Sequence, residues 1–391
     1  SYLFYFSNAP ARSLESRMAS ADFHALVTST LAIAFAISAL FGAVARHTHF
    51  CTMGAISDAV ALGDWLRMRQ WAMAVGVAMC GFAVLVAMGW VDPAQTLYAS
   101  TSVLWLSALV GGALFGFGMV IASGCGSKNL IRLGGGSLKS LVVFVVMGLA
   151  AFATLKGITA VLRVLTVDAV QWPLQGQAFL PDALARWSGL PVHALPTLRL
   201  GTGLLLGGLL IAWAVAGGRR DARSLLGGTG IGALVVAAWW LSGHWAEVQE
   251  HPQTLEHMYA ATYTGRIEAL SFAAPLAHTL DWLLFFSDRN KVLTVGVVSV
   301  LGVIAGAAAH ALYTREFRWQ GFANTDDLAH HLTGAALMGV GGVTAMGCTI
   351  GQGLSAISTL HLASFPAVLA IIVGAVVALR YQNRRIERSV S

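Results

Sequence analysis

Charged side chains are scarce in this sequence of 391 residues. They make up 11% of the chain, against roughly 25% in an ordinary soluble domain. Hydrophobic residues account for 57%, and the mean hydropathy is +0.70. A chain with so little polar surface cannot cover itself in water. We therefore expect an all-α polytopic membrane protein, embedded in a lipid bilayer.

Cysteine is also rare, with four residues and no CxxC pair, which argues against a disulfide scaffold or a zinc site. His47 and His49 lie beside Cys51, but no further ligand completes a metal set, so we expect no metal and no cofactor. The net charge of +6 is not arranged as basic patches among aromatics, so we expect no nucleic-acid partner. The first 23 residues lack a signal-peptide layout and form an N-terminal extension.

Long apolar stretches account for most of the remaining chain. Nine of them approach the roughly 20 residues that cross a bilayer. The eighth is short and rich in glycine, so it is expected to break before it crosses. The predicted spans are 24–45, 71–91, 103–122, 138–162, 198–217, 225–243, 292–313, 332–346 and 363–380.

Lysine and arginine orient these spans, because cytoplasmic loops carry an excess of them. With nine spans, the most basic loops all fall on one side. This predicts an N-terminus outside and a C-terminus in the cytoplasm. The residues that define the basic side are Arg67, Arg69, Lys128, Arg132, Lys139, Arg219, Arg220, Arg223, Arg315, Arg318, Arg380, Arg384, Arg385 and Arg388.

One block of the sequence occurs twice. Residues 113–125 (ALFGFGMVIASGC) and 336–348 (ALMGVGGVTAMGC) are identical at eight of thirteen positions, at an offset of 223. The copies belong to the third and eighth spans, which run in opposite directions. The chain is therefore predicted to contain an inverted internal repeat, as many transporters do.

The repeat divides the chain into two halves. We expect a first half over 24–165, an extracytoplasmic connection over 166–197, a second half over 198–380 and a cytoplasmic tail over 381–391. A weaker match pairs CTMGA after Phe50 with GTGIG at 228–232, at an offset of 177. The difference between the two offsets predicts an insertion over 245–290 in the second half.

Three of the cysteines each open a segment too short to cross the membrane. Cys51, Cys125 and Cys348 follow the end of a span, and glycines lie close to each of them. We expect re-entrant half-helices of two to three turns, whose positive N-termini meet near the midplane and attract an anion. Cys80 has no such context and is expected to be a structural thiol.

Several residues beside the cysteines are candidates to support an anion. Lys128 and Arg132 share a helical face and either gather anions or extend to the headgroups. Asn129, Thr349 and Gln352 are candidate donors to an oxyanion. Asp58 is the one candidate for a buried carboxylate in a proton or sodium site. The glycines of the three short segments complete the predicted site: Gly124, Gly126 and Gly347.

At these residues the chain resembles the YeeE/YedE family of membrane sulfur transporters. The stretches that carry the resemblance are HFCTMGAISD (49–58), ASGCGSKNLIR (122–132) and MGCTIGQGLS (346–355). The resemblance implies an hourglass fold and thiosulfate uptake across the bacterial inner membrane. It also implies that Cys51, Cys125 and Cys348 contact the ion along the pore. Some family members work with a small TusA-like sulfur carrier.

Other functions remain open at this point. The same pore is suited to another sulfur or selenium species. A membrane thiol–disulfide redox protein is a rival from a different class, although such proteins usually carry a close-spaced cysteine pair. A subunit without a pore is a third. We expect a non-enzymatic transporter in which neutral thiols pass the ion along by weak S–H hydrogen bonds.

Overall fold

The computed structural model describes residues 9–216, 221–252, 254–288 and 291–390. The first eight residues of the predicted extension lie outside these ranges. So do two arginines of the predicted basic side, Arg219 and Arg220.

Helices dominate the described part of the chain. They are α1 (Ala9–His47), α2 (Thr52–Ser57), α3 (Leu66–Ala87), α4 (Trp105–Ile121), α5 (Gly126–Gly134), α6 (Leu138–Lys156), α7 (Ile158–Leu165), α8 (Leu180–Trp187), α9 (Leu195–Val215), α10 (Ala222–Trp240), α11 (Ala274–Leu284), α12 (Val295–Tyr313), α13 (Thr325–Thr344) and α14 (Ser364–Val390). Two short antiparallel pairs connect loops, β1 (Ser102–Val103) with β2 (Trp172–Pro173) and β3 (Glu247–Val248) with β4 (Met258–Tyr259).

Eight helical segments of the described residues are long and apolar enough to cross a membrane. They confirm a polytopic all-α protein and follow the predicted spans within a few residues at most ends. The eighth predicted span, 332–346, corresponds to the C-terminal two-thirds of α13. This helix has 20 residues, but its first turns carry Asp326, Asp327, His330 and His331, which lower its hydropathy.

The two copies of the repeated block pack against each other as an inverted pair. A Cβ added to Gly341 of α13 would lie 2.6 Å from the Gly111 carbonyl of α4, and one on Gly334 would lie 2.7 Å from the Gly118 carbonyl. Gly111 and Gly334 are equivalent at the offset of 223, as are Gly118 and Gly341. Gly111 therefore contacts the counterpart of Gly118, and Gly118 contacts the counterpart of Gly111, which is the pattern of a two-fold axis.

The packing of the neighbouring helices follows the same two-fold relation. α4 packs on α14 while α13 packs on α6, and α1 packs on α12 while α10 packs on α3. Among the short helices, α2 contacts α3 and α14, whereas α11 contacts α12 and α6. Helix α11 thus takes the place in the second half that α2 takes in the first. The weaker sequence match does not join equivalent positions, because Gly228 lies inside α10, packed on α3.

Ion pairs join the helix ends at one end of the bundle. The start of α6 meets the start of α13 through Lys139 and Asp327, and Arg46 at the end of α1 pairs with Glu316 beyond α12 at 3.5 Å. At the opposite end Arg199 pairs with Asp182 at 2.7 Å. Of the residues predicted for the basic side, Lys139 and Arg318 belong to neighbouring segments here, since Arg318 N–H donates to the Gly135 carbonyl, four residues before Lys139, at 3.1 Å.

Candidate functional site

Each of the three candidate cysteines follows a helix that ends in the same backbone turn. The residue two positions before the cysteine is left-handed and is not glycine: His49 has φ 53°, Ser123 57° and Met346 57°. Side chains other than glycine are uncommon in this region, because the Cβ crowds the following carbonyl. The same uncommon geometry at three cysteines marks them as one structural set.

Two hydrogen bonds close each turn in the pattern of a Schellman motif. In each turn the bond that spans five residues runs from the residue before the cysteine back into the helix. These bonds are Phe50 N–H to Ala45 O at 3.0 Å, Gly124 N–H to Met119 O at 2.8 Å and Gly347 N–H to Gly342 O at 2.8 Å. The turn ends the helix abruptly and sets the cysteine at the start of a new segment.

The segments that follow are short, as the sequence predicts, but they differ in geometry. Cys51 caps α2, which continues as a π-helical turn over Asp58–Leu62. Cys125 precedes α5, a helix of 9 residues. After Cys348 the chain forms a π-helical turn over Gly351–Ala356 instead of an α-helix. All three therefore fall well short of the length needed to cross a bilayer.

The turns of Cys125 and Cys348 meet at Phe272. The Phe272 backbone N–H donates to Cys348 Sγ at 3.3 Å, and a Cβ on Gly126 would lie 3.0 Å from the Phe272 carbonyl. Cys125 is within electrostatic range of both Cys348 and Cys51. Cys125 and Cys348 are 1% and 0% exposed. Both thiols therefore face the protein interior, where the two halves join.

Backbone N–H groups engage two of the thiol sulfurs. Cys51 Sγ accepts from Gly54 N–H at 3.3 Å, and Cys348 Sγ accepts from Gly351 N–H at 3.4 Å as well as from Phe272. A thiol that accepts through its sulfur keeps its S–H hydrogen for a further partner. Cys125 Sγ lies 3.3 Å from Ser127 Oγ, where either group is able to donate.

Asn129 and Gln352, the residues four positions after Cys125 and Cys348, hold the turns with their amide groups. Asn129 Nδ2 donates to the carbonyls of Gly124 at 2.9 Å and Cys125 at 3.1 Å. Gln352 Nε2 donates to Ala345 O at 2.7 Å. The Asn129 amide nitrogen is thus engaged by two backbone carbonyls, whereas the buried Gln352 Oε1 has no partner among the described residues.

Lys128 and Thr349 have polar groups without such partners. Lys128 is within electrostatic range of Cys51 and Cys125, and among the described residues it forms no hydrogen bond or ion pair. The Thr349 hydroxyl is buried and finds no hydrogen-bond partner in the described part of the chain. Arg132, in contrast, donates to the Ser123 carbonyl at 2.5 Å and so braces the turn before Cys125.

Two of the cavities in the described part of the chain reach the turns before Cys125 and Cys348. One of about 270 Å³, the Glu268 cavity, reaches Met346 and Gly347, and its polar wall includes Tyr98, Arg163, Glu268 and His278. The other, of about 510 Å³, is the Ser123 cavity, and its wall includes Asp326, Asp327, His330 and Arg385. Met346 and Ser123 are equivalent in the repeat. Each cavity therefore reaches the residue two positions before a buried cysteine.

The remaining sequence predictions have different outcomes. Asp58 is not the buried carboxylate, because it pairs with Arg67 at 3.3 Å and keeps a quarter of its side chain exposed. Cys80 packs between α3 and α9, where its Sγ lies 3.9 Å from the Gly203 carbonyl. Sequence reasoning missed Glu268 and Tyr98, which lie in loops with no motif to single them out.

Comparisons with known proteins agree with these observations. A family model described as sulphur transport matches residues 47–377. The chain is 25% identical over 330 residues to the thiosulfate transporter TsuA of Escherichia coli K12, covering 81% of this chain and 84% of that protein. It is 25% identical over 346 residues to the thiosulfate transporter TsuA of Spirochaeta thermophila, covering 86% and 94%.

Proposed function

Because this chain belongs to the sulphur transport family, we propose that it carries thiosulfate across the bacterial inner membrane past Cys51, Cys125 and Cys348. The names of the two TsuA relatives support this cargo. The observation that carries the proposal is the meeting of the Cys125 and Cys348 turns at Phe272, with a cavity leading toward each turn.

Thiosulfate is a dianion with a soft terminal sulfur and hard oxygens, so it cannot cross hydrocarbon bare. In the proposed mechanism, the S–H groups donate weakly to the terminal sulfur. The Cys51 and Cys348 sulfurs accept hydrogen bonds from backbone N–H groups, so their S–H hydrogens remain free to donate to the ion. The ion passes from one cysteine to the next without a covalent bond. Weak sites in series suit conduction, because tight binding would prevent exit.

The sulfonate oxygens need harder donors than thiols. Lys128 supplies an unpaired ammonium beside Cys51 and Cys125. The Thr349 hydroxyl follows Cys348 and has a free donor. We propose that these two residues, one in each half of the repeat, donate hydrogen bonds to the sulfonate oxygens. Asn129 and Gln352 shape the passage by holding its turns.

The basic end of the bundle is proposed to face the cytoplasm, with the N-terminus outside and the C-terminus inside. The Glu268 cavity then opens outward and collects the ion. The Ser123 cavity opens to the cytoplasm, where we place the docking site of a TusA-like carrier. Binding of such a carrier to vesicles that expose this end, and not to vesicles that expose the other, is the expected result.

The test of this function is uptake of labelled thiosulfate by the purified protein in lipid vesicles. The wild-type chain is expected to give saturable uptake, and empty vesicles to give none. Competition by sulfate, by other sulfur anions and by selenate in the same assay ranks the cargo. Uptake no faster than in empty vesicles would refute the proposal, and stronger competition by another anion would reassign the cargo.

A further inference from the structure

Glu268 is a half-buried residue whose carboxyl group the proposed mechanism does not use. It lies in the loop between β4 and α11, in the wall of the Glu268 cavity. Its Oε1 is fully enclosed and finds no hydrogen-bond partner among the described residues. Enclosing an ionised carboxylate with one of its oxygens unpartnered is costly, so this position favours the neutral acid.

The cations around the cavity interact with other groups, so they do not offset the cost of burying an ionised Glu268. Arg163 of α7 pairs with Asp168 at 3.1 Å. Lys156, at the end of α6, lies over the Tyr263 ring at 5.9 Å. Lys291, before α12, pairs with Asp281 of α11. The lining residues of α12 and α13 carry no charge: Gly296, Gly342 and Val343.

Burial raises the pKa of Glu268 to about 7, and the Tyr263 backbone N–H only partly opposes the shift. His278 is the other titratable group of the cavity near neutrality, and its ring stacks on Tyr263 at 3.6 Å. Burial, with the nearby Lys156, lowers the pKa of His278 to about 4. The imidazole is therefore neutral throughout the range in which Glu268 changes its charge.

Tyr98 connects this carboxyl group to the cysteine site. It lines the Glu268 cavity together with Glu268 and with Gly347, the residue before Cys348. Its hydroxyl donates to the Gly351 carbonyl, in the turn after Cys348, at 3.0 Å. A dianion that reaches Gly347 through this cavity must therefore pass close to Glu268. An ionised carboxylate there would repel it, whereas a protonated one would not.

We propose that Glu268 is a proton-binding site of the outer cavity, which takes up a proton when the dianion enters. The inference rests on the proposed transport of thiosulfate. By linkage, the entering dianion strengthens proton binding, and the bound proton strengthens binding of the dianion. Uptake is then fastest when the outside solution is acidic.

The test is the initial rate of thiosulfate uptake into vesicles as a function of external pH. Wild-type uptake should fall roughly tenfold between about pH 7 and about pH 8.5, as Glu268 ionises. The variant Glu268→Gln keeps a neutral side chain of the same shape, so its rate should stay high and nearly flat. Glu256→Gln removes a charge from an exposed position between β3 and β4 and should keep the wild-type profile.

The outcomes separate this inference from the function on which it rests. If wild-type protein takes up no thiosulfate at any pH, the proposed function fails. If it transports but Glu268→Gln shows the wild-type pH profile, the proton site alone is refuted. Loss of uptake at every pH in a Glu268→Gln protein that unfolds at the wild-type temperature would also overturn it, because the neutral side chain should pass the ion.

Discussion

Ser123 and Met346 adopt the same left-handed backbone conformation, with φ 57° at both residues. They are equivalent in the repeat, and each lies two residues before a buried cysteine. Neither residue type is favoured in this conformation, which costs about 1–2 kcal/mol relative to a right-handed one. The repetition of a costly geometry indicates that the turn is required to place the thiol.

The turn at Ser123 predicts a stabilising substitution. Ser123→Gly should raise the free energy of unfolding by up to about 1 kcal/mol, because glycine adopts a positive φ without strain. Ser123→Val should lower it by about 1–3 kcal/mol, since a β-branched side chain is the worst fit. Thermal unfolding in detergent measures both. A glycine variant less stable than Ser123→Ala would contradict the role of strain.

The glycine contacts between α4 and α13 predict matched losses of stability. Gly111→Ala and Gly334→Ala occupy equivalent positions, and each new Cβ would meet backbone atoms at 2.4–2.7 Å. Each should cost about 1–3 kcal/mol through overpacking. Gly201→Ala in α9 meets nothing within 4 Å and is the control. Clearly unequal losses at the two equivalent glycines would argue against the two-fold packing.

Asn129 should matter for stability more than for binding. Asn129→Ala removes the side-chain donor of the Gly124 carbonyl and one of the two donors of the Cys125 carbonyl, and should cost about 1–3 kcal/mol of unfolding free energy. Thr349→Val is the contrasting variant, because its hydroxyl has no partner to lose. It should leave the unfolding temperature unchanged and slow uptake. The account is wrong here if Asn129→Ala folds with wild-type stability.

Lys128 should matter for binding more than for stability. Lys128→Met removes an ammonium without an ion pair, so the KM for thiosulfate uptake should rise on the order of tenfold, or about 1.4 kcal/mol. The unfolding temperature should not fall, because an unpaired charge near the site is costly to the fold. Arg318→Met, an exposed change of the same charge at the same end, is the control. Equal KM values for both variants would remove Lys128 from the site.

Much of the fold is predictable from the sequence because the bilayer sets the length of an apolar helix. The span over 363–380 becomes α14 and the span over 103–122 becomes α4. The inverted repeat is visible because Gly-Cys recurs at a fixed offset between spans of opposite direction. Helix α13 is longer than its prediction, since its polar first turns do not resemble a membrane segment.

The site is only partly predictable. The sequence identifies Cys125 and Cys348 as candidate site residues. The left-handed turns before them are not predictable, because Ser123 and Met346 are not residue types that favour this conformation. The sequence shows which side chains carry hydrogen-bond donors, but it does not show their partners. In the structure Asn129 donates to backbone carbonyls, whereas the Thr349 hydroxyl has no partner among the described residues. Glu268 lies in a polar connection, and its burial depends on loops and helices from both halves. Only the packed structure distinguishes it from Asp58.

The central claim is that the ion passes along the buried thiols. The most direct test is the initial rate of labelled thiosulfate uptake into vesicles by Cys125→Ala and Cys348→Ala, beside Cys80→Ala at the α3–α9 contact. The account predicts that the first two reduce uptake to the level of empty vesicles while folding normally, and that Cys80→Ala transports like the wild type. Wild-type rates in Cys125→Ala and Cys348→Ala would contradict it.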